Sequence, residues 1–104
     1  YQIVLTTCPD QPNAERIARA LVEEGLAACV NILPAMHSIY KWQGKIEYAS
    51  EHLLLVKSLS KKFSSIRDRI LDLHPYELPE IVAVPIADGF ARYLAWLENQ
   101  DHFS

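Results

Sequence analysis

The stretch that decides the fold is residues 74–86, which read His-Pro-Tyr-Glu-Leu-Pro-Glu-Ile-Val-Ala-Val-Pro-Ile. Pro75 and Pro79 lack an amide donor and fix φ, which excludes a helix interior and a central strand between them. After Glu80 the almost wholly apolar run 81–86 predicts a strand buried on both faces. A stiff polar segment followed by a core strand is consistent with a functional site whose side chains are held in place, or with a rigid connector.

Length, composition and charge place the chain among small globular proteins. It has 104 residues, of which 50% are hydrophobic and 22% charged, and this predicts a single domain over 1–104. The net charge of −3 and the lack of a basic stripe argue against nucleic-acid binding, and no apolar run approaches a membrane span. Cys8 and Cys29 do not make a disulfide framework, so reduced thiols and a cytoplasmic location are expected.

The first quarter of the chain predicts a strand followed by a helix. The β-branched run 2–7 indicates a strand. Apolar residues then recur at helical spacing over 14–22, and Asp10 or Asn13 can cap this helix. Gly25 supplies the left-handed residue that ends it.

The next part of the chain predicts a long hairpin. The run 26–33 is apolar except at one position and predicts a second strand, expected to be central in the sheet. Pro34 predicts a bulge or bend. The extended pattern resumes and reverses at Gly44, which gives a hairpin over 36–58. That hairpin is too long for so small a domain to cover, so its distal half must project or be covered by another chain.

Two further helices follow the hairpin. Ser60 is predicted to cap a helix that ends at His74, because the next residue is a proline. Asp88 is predicted to cap a final helix that has Phe90 on its buried stripe, and residues 99–104 are predicted to form a frayed tail.

The order β, α, β, β, α, β with an added helix predicts an α+β fold. The arrangement is a ferredoxin-like split βαβ sandwich with a long β-hairpin and an extra C-terminal helix. Right-handed crossovers leave few other arrangements and place the first two helices on one face of an antiparallel sheet.

Five motifs, in this order, resemble those of the CutA family of divalent-cation tolerance proteins, over nearly the whole chain. They are LAACVN at 26–31, SIYKWQGK at 38–45, Glu51 with LLLVK at 53–57, HPYELPE at 74–80 and YLAW at 93–96. The resemblance implies a subunit related in architecture to the PII signalling proteins and assembled as a tight homotrimer. It implies a role in tolerance of copper and other divalent cations, with such a cation as a ligand that folding does not require. It implies no well-defined enzymatic reaction.

Three residues are candidate metal ligands, namely His74, Cys8 and Cys29. Imidazole suits copper and zinc, and thiolate favours copper(I). The alternatives are that His74 complements a helix C-terminus as a cation, and that Cys29 is a small buried hydrophobe. In the family pattern a second histidine can precede His74, where the chain has Leu73. A family member associated with copper has a cysteine where this chain has Thr6, so those two ligands do not carry over.

Seven further residues are candidates for a pocket between subunits, namely Tyr40, Trp42, Glu51, Lys57, Tyr76, Glu80 and Trp96. The aromatic residues have polar tips and are enriched at interfaces, where plain packing is the alternative and the favoured interpretation. For the charged residues the alternative is a solvated sheet edge. Their burial would require pairing, most simply of Lys57 with a carboxylate.

Three functions are compatible with these residues. The first is a trimeric protein that functions in tolerance of, or response to, a divalent metal (copper), either by binding copper directly or by responding to it indirectly. The second is a PII-like small-molecule sensor with ligand sites between subunits, and the third is a non-catalytic assembly scaffold. The sequence has no HExxH, GxSxG or P-loop motif and no legible nucleophile–base pair, so an enzyme is not expected.

The hairpin tip makes self-association the main structural expectation. Its apolar side chains are Ile39, Tyr40, Trp42, Ile46 and Tyr48. A small subunit has no core at that distance to bury them, and left exposed they would form an apolar patch on an open strand edge. Strand addition in a closed ring of three copies would cover both the patch and the edge.

Overall fold

The computed structural model describes residues 1–100 of the chain. In chain order its elements are β1 Gln2–Cys8, α1 Gln11–Glu23, β2 Cys29–Trp42, β3 Lys45–Ser58, α2 Phe63–Leu73, β4 Val82–Pro85 and α3 Ala91–Asn99. No helix among the described residues is long and apolar enough to cross a membrane. Of the predicted tail, residues 101–104 fall outside the described part.

The four strands form one antiparallel sheet in the order β2-β3-β1-β4. With α1 between β1 and β2 and α2 between β3 and β4, this is the predicted ferredoxin-like split βαβ arrangement. The prediction that the second strand is central is wrong, because β2 lies at one edge. The hairpin places β3 beside β2, and β3 pairs on its other side with β1, so β1 and β3 hold the centre.

The core lies between the sheet and helices α1 and α2. Asp10 caps α1, as predicted, since its carboxylate accepts a hydrogen bond of 2.9 Å from the N–H of Asn13. Gly25 follows the helix with φ of 73°, also as predicted. The buried members of the core are Val4, Cys8, Ala14, Ile17, Leu21, Ala27, Leu54, Val56, Ile66 and Ile70.

The opposite side of the sheet, here called the open face, carries the side chains that alternate with the core residues. In the two central strands they are Ile3, Leu5, Thr7, Glu51, Leu53, Leu55 and Lys57. Helix α3 packs at one end of the open face, where the Lys57 ammonium lies over the Tyr93 ring, 5.8 Å from its centroid. The sheet is therefore covered by two helices on one side and by a single short helix on the other.

Strands β2 and β3 form the predicted hairpin. The pairing register shifts just after Pro34, where Ala35 has φ of 58°, so the predicted bulge is present. Gln43 and Gly44 have φ of 50° and 80°, the left-handed pair that a two-residue hairpin turn requires. The distal half of the hairpin extends beyond the core and contributes to an elongated shape of 45 × 26 × 23 Å.

The prediction that 81–86 forms a strand buried on both faces is wrong. Strand β4 covers only Val82–Pro85, and all four of its residues are exposed. It pairs with β1 alone and is therefore an edge strand. The hydrophobic pattern could not reveal this, because an apolar run looks the same whether its own chain or another surface covers it.

Two predicted helix caps are also wrong. Ser60 begins a 3₁₀ turn over Ser60–Lys62, and α2 then starts without a side-chain cap. Asp88 accepts a hydrogen bond of 2.8 Å from the N–H of the adjacent Gly89, and α3 begins without a side-chain cap. Phe90, predicted to be buried, is 71% exposed. A serine or aspartate close to a helix start can reach several backbone amides, so its presence does not fix which one it binds.

Candidate functional site

His74 attaches the segment between α2 and β4 to the end of β1. Its Nε2 lies 2.7 Å from the carbonyl oxygen of Thr7, and its Nδ1 accepts a hydrogen bond of 3.1 Å from the N–H of Tyr76. Because a carbonyl only accepts and a backbone N–H only donates, Nε2 carries the proton and the ring is neutral. Burial lowers the pKa of His74, which favours the same neutral form.

Tyr76 extends this connection to Glu51 on β3. Its hydroxyl donates a hydrogen bond of 2.9 Å to Oε2 of Glu51, a residue that is only 7% exposed. Burial, followed by the Glu51 carboxylate, raises the pKa of Tyr76, so the hydroxyl keeps the proton that it donates. Thr7, His74, Tyr76 and Glu51 therefore form a continuous hydrogen-bonded chain, here called the polar bridge.

Cys8 lies next to the polar bridge. It is fully buried, and its Sγ is 3.9 Å from Nε2 of His74. Burial, with smaller contributions from the carboxylates of Asp10 and Glu51, raises the pKa of the Cys8 thiol to about 11. The thiol is therefore protonated at neutral pH, whereas metal coordination requires the thiolate.

Cys29 lies far from Cys8 and His74. Cys29 on β2 pairs with Lys57 on β3, and Lys57 pairs in turn with Ile3 on β1. Ile3 lies five residues before Cys8 on β1, which corresponds to about 17 Å along the strand. Cys29 is half-buried and is not the fully buried hydrophobe that the sequence favoured. The structure therefore does not bring the three candidate metal ligands together.

The residues of the polar bridge do not fit a preformed metal centre. Residues 1–100 contain no group of three or more His, Cys, Asp or Glu side chains placed to hold a metal ion. Cys8 and His74 offer the sulfur and nitrogen donors that copper prefers. However, the thiol carries its proton and both imidazole nitrogens already form hydrogen bonds.

A pocket of 670 Å³ opens beside the polar bridge, between the hairpin and residues 75–80. Five of the seven predicted pocket residues line it, namely Tyr40, Trp42, Glu51, Tyr76 and Glu80. These five side chains surround one pocket within the chain, and its location between subunits stays a prediction. The volume lies within the range typical of small-molecule sites.

The other two predicted pocket residues, Lys57 and Trp96, lie elsewhere. Lys57 is six residues from Glu51 on the same strand face, which corresponds to about 20 Å. Trp96 packs against the Tyr93 ring, with centroids 5.6 Å apart, and the Lys57 ammonium lies over that same ring. Lys57 therefore links the sheet to α3, and within this chain neither residue lines the pocket.

Sequence reasoning missed three contributors to the site. Arg16 of α1 donates a hydrogen bond of 2.6 Å to the carbonyl of Leu73, which fixes the residue just before His74. Thr7 acts through its backbone carbonyl, so neither contact leaves a side-chain pattern in the sequence. Glu77 also lines the pocket, and its place inside the HPYELPE motif was a signal that could have identified it.

The fold and the site define a small ferredoxin-like α+β protein with an acidic, aromatic-lined pocket beside its hairpin. The family model of the CutA1 divalent ion tolerance protein matches residues 2–100. A divalent-cation tolerance protein CutA from Thermus thermophilus is 53% identical over 98 residues, which cover 94% of this chain and 95% of that protein. The chain therefore belongs to the CutA1 divalent ion tolerance family.

Two further comparisons support this assignment. The human protein CutA is 46% identical over 93 residues, which cover 89% of this chain but only 52% of the human protein. The chain thus spans about half the length of that relative. The crystal structure of CutA from Xylella fastidiosa superimposes with a TM-score of 0.93 at 45% identity, covering 95% of each chain.

We predict that His74 makes the stability of the protein depend on pH. The folded-state pKa of His74 lies below the unfolded value of about 6.5, so the unfolded state binds more protons in this range. The free energy of unfolding should therefore be fully maintained above pH ~6.5 and fall as the pH drops below it.

Urea denaturation across this pH range tests the prediction. His74→Gln should flatten the pH dependence, because its amide can still donate to the Thr7 carbonyl but does not titrate. His37→Gln, at an exposed position on the hairpin, is the matched control and should keep the wild-type slope. An unchanged slope in His74→Gln would contradict the assignment.

Proposed function

We propose that the chain acts as a homotrimer in the tolerance of divalent cations. The family supplies the tolerance role, and the open face of the sheet supports the assembly. Three copies is the number that the CutA resemblance implies, and a closed ring leaves no growing edge.

The apolar surface of the open face reaches both edges of the sheet. Leu33 on β2 and Val82 and Val84 on β4 point to this side and are 44%, 47% and 45% exposed. Both edge strands have one hydrogen-bonded neighbour in the sheet and an unpaired outer side. Soluble monomers rarely combine a contiguous apolar patch with open strand edges. A second copy packed here would cover the patch and pair the edges together.

The hairpin tip supports the same proposal. Ile39, Ile46 and Tyr48 are 69%, 61% and 75% exposed, and Ile39 pairs directly with Tyr48 across the hairpin. The chain itself leaves most of each of these side chains exposed, so their burial requires another molecule. A neighbouring copy of the chain would supply the surface.

Direct copper binding is the finer part of the proposal and rests on Cys8 and His74. The two donor atoms are 3.9 Å apart, so one ion could contact both. Binding through Nε2 would require Cys8 to lose its proton and His74 to move its proton from Nε2 to Nδ1. That move breaks the hydrogen bonds with Thr7 and Tyr76, which makes such a site weak at neutral pH. The chain is proposed to have no catalytic role, and a cytoplasmic location remains a prediction from the two free cysteines.

A PII-like small-molecule sensor is the second candidate function. The 670 Å³ pocket favours it, because the polar bridge holds one of its walls and aromatic rings line another. In that case the ligand would act on the trimer by fixing the hairpin against residues 75–80. A non-catalytic scaffold, the third possibility, has no specific use for such a pocket.

We predict that the folded protein does not exist as a species of about 12 kDa at micromolar concentration. Light scattering across a dilution series should show a single assembly of three chains. Leu33→Asp should dissociate it, because the carboxylate would be buried against apolar surface. Leu71→Asp, at an exposed position on α2, is the control and should leave the mass unchanged. A stable wild-type monomer would contradict the proposal.

We predict that copper(I) binding becomes tighter as the pH rises. The Cys8 pKa of about 11 leaves little thiolate at neutral pH, and each unit of pH supplies tenfold more. Competition titrations at pH 7 and pH 8 should therefore differ about tenfold in apparent affinity. Cys8→Ala should remove the binding, and Cys29→Ala should preserve it. Affinity that is independent of pH, or of Cys8, would rule out this pair as the ligands.

A further inference from the structure

The pocket beside the polar bridge is lined by acidic and aromatic side chains and, among the described residues, by no basic one, and a role in metal tolerance does not explain this chemical bias. Its polar and aromatic walls are formed by Glu51, Glu77, Glu80, Tyr40, Trp42 and Tyr76. The described residues that line it include no Lys, Arg or His. A phosphate or carboxylate ligand would therefore meet like charge, whereas a cation would be attracted.

Glu51 gives this bias a specific location. It is 7% exposed, and the hydrogen bond to its carboxylate comes from the uncharged hydroxyl of Tyr76. Within residues 1–100 it forms no ion pair, and its Oε1 has no hydrogen-bond partner. The Glu51 carboxylate borders the pocket and has no counter-charge among the described residues, so it would attract a cation bound there.

The aromatic rings distinguish an organic cation from a metal ion. Ring faces attract ammonium groups, and alkyl chains pack against the same surfaces. A metal ion instead needs several converging oxygen, nitrogen or sulfur donors, and the described residues contain no group of three such acidic, histidine or cysteine side chains. The volume of 670 Å³ also exceeds what a bare ion would fill.

We propose that this pocket binds an aliphatic di- or polyammonium ion. One ammonium group lies at the Glu51 carboxylate, the alkyl chain packs on Trp42 and Tyr40, and a second ammonium group faces Glu77 and Glu80. The proposal rests on residues of this chain alone and does not require metal binding.

Calorimetric titration of the full chain, in the assembly it adopts in solution, tests the proposal. The probe is 1,4-diaminobutane, and 1,4-butanediol is the uncharged match of similar shape. Saturable binding of the diamine is expected, with no binding of the diol. The diamine affinity should fall as the salt concentration rises, because screening weakens the charge interaction.

Matched variants locate the binding. Glu51→Gln, which removes the charge and keeps the shape, and Trp42→Leu, which removes the ring face, should each weaken binding about tenfold or more. Glu23→Gln, at an exposed position on α1, should bind as the wild type does. Circular dichroism checks that each variant is folded, and Glu80→Gln takes the place of Glu51→Gln if that variant is not.

The following results would overturn the proposal. They are the absence of saturable diamine binding, equal binding of the diol, and unchanged affinity in the folded pocket variants. Stoichiometric displacement of the diamine by zinc or copper would also overturn it, since the pocket would then be a metal site.

Discussion

Glu51 is a largely buried residue at the edge of the pocket, and its carboxylate accepts a hydrogen bond from the Tyr76 hydroxyl. Tyr76 is bound through its N–H to His74, and His74 is bound to the carbonyl of Thr7 at the end of β1. The polar bridge therefore ties three separate parts of the chain together across one end of the sheet. It holds Tyr76 to the sheet and so helps to position residues 75–80, which form one wall of the pocket. It also keeps His74 neutral and occupies both of its ring nitrogens with hydrogen bonds. This explains why a histidine beside a cysteine does not form a preformed metal site.

Much of the fold could be predicted because local chemistry determines it. Asp10 accepts a hydrogen bond from a helix amide, Gly25 and Gly44 adopt positive φ, and the bulge lies at Pro34. Each of these features involves only residues that are close together in sequence. The position of a strand in the sheet could not be predicted in this way. It depends on pairing between distant residues, so the apolar runs of β2 and β4 indicated strands but did not show that both are edges.

The candidate site was predicted in part, for the same reason. Side chains on the hairpin and in the HPYELPE motif were grouped from their sequence pattern, and five of them line one pocket. Lys57 was grouped with Glu51 because both interrupt an apolar strand, yet six residues of extended chain separate them by about 20 Å. The contacts of His74 with a backbone carbonyl and a backbone N–H leave no trace in the sequence, so its structural role appeared only in the fold.

The central claim is that a buried charge on Glu51, held by Tyr76, positions the site, and a double-mutant cycle on unfolding free energy tests it directly. Tyr76→Phe alone should be destabilising by about 1–3 kcal/mol, because it leaves the buried carboxylate without a donor. In the background of Glu51→Leu the same change should cost close to nothing, since no carboxylate remains to be satisfied. Equal effects of Tyr76→Phe in the two backgrounds, within about 0.5 kcal/mol, would contradict the account.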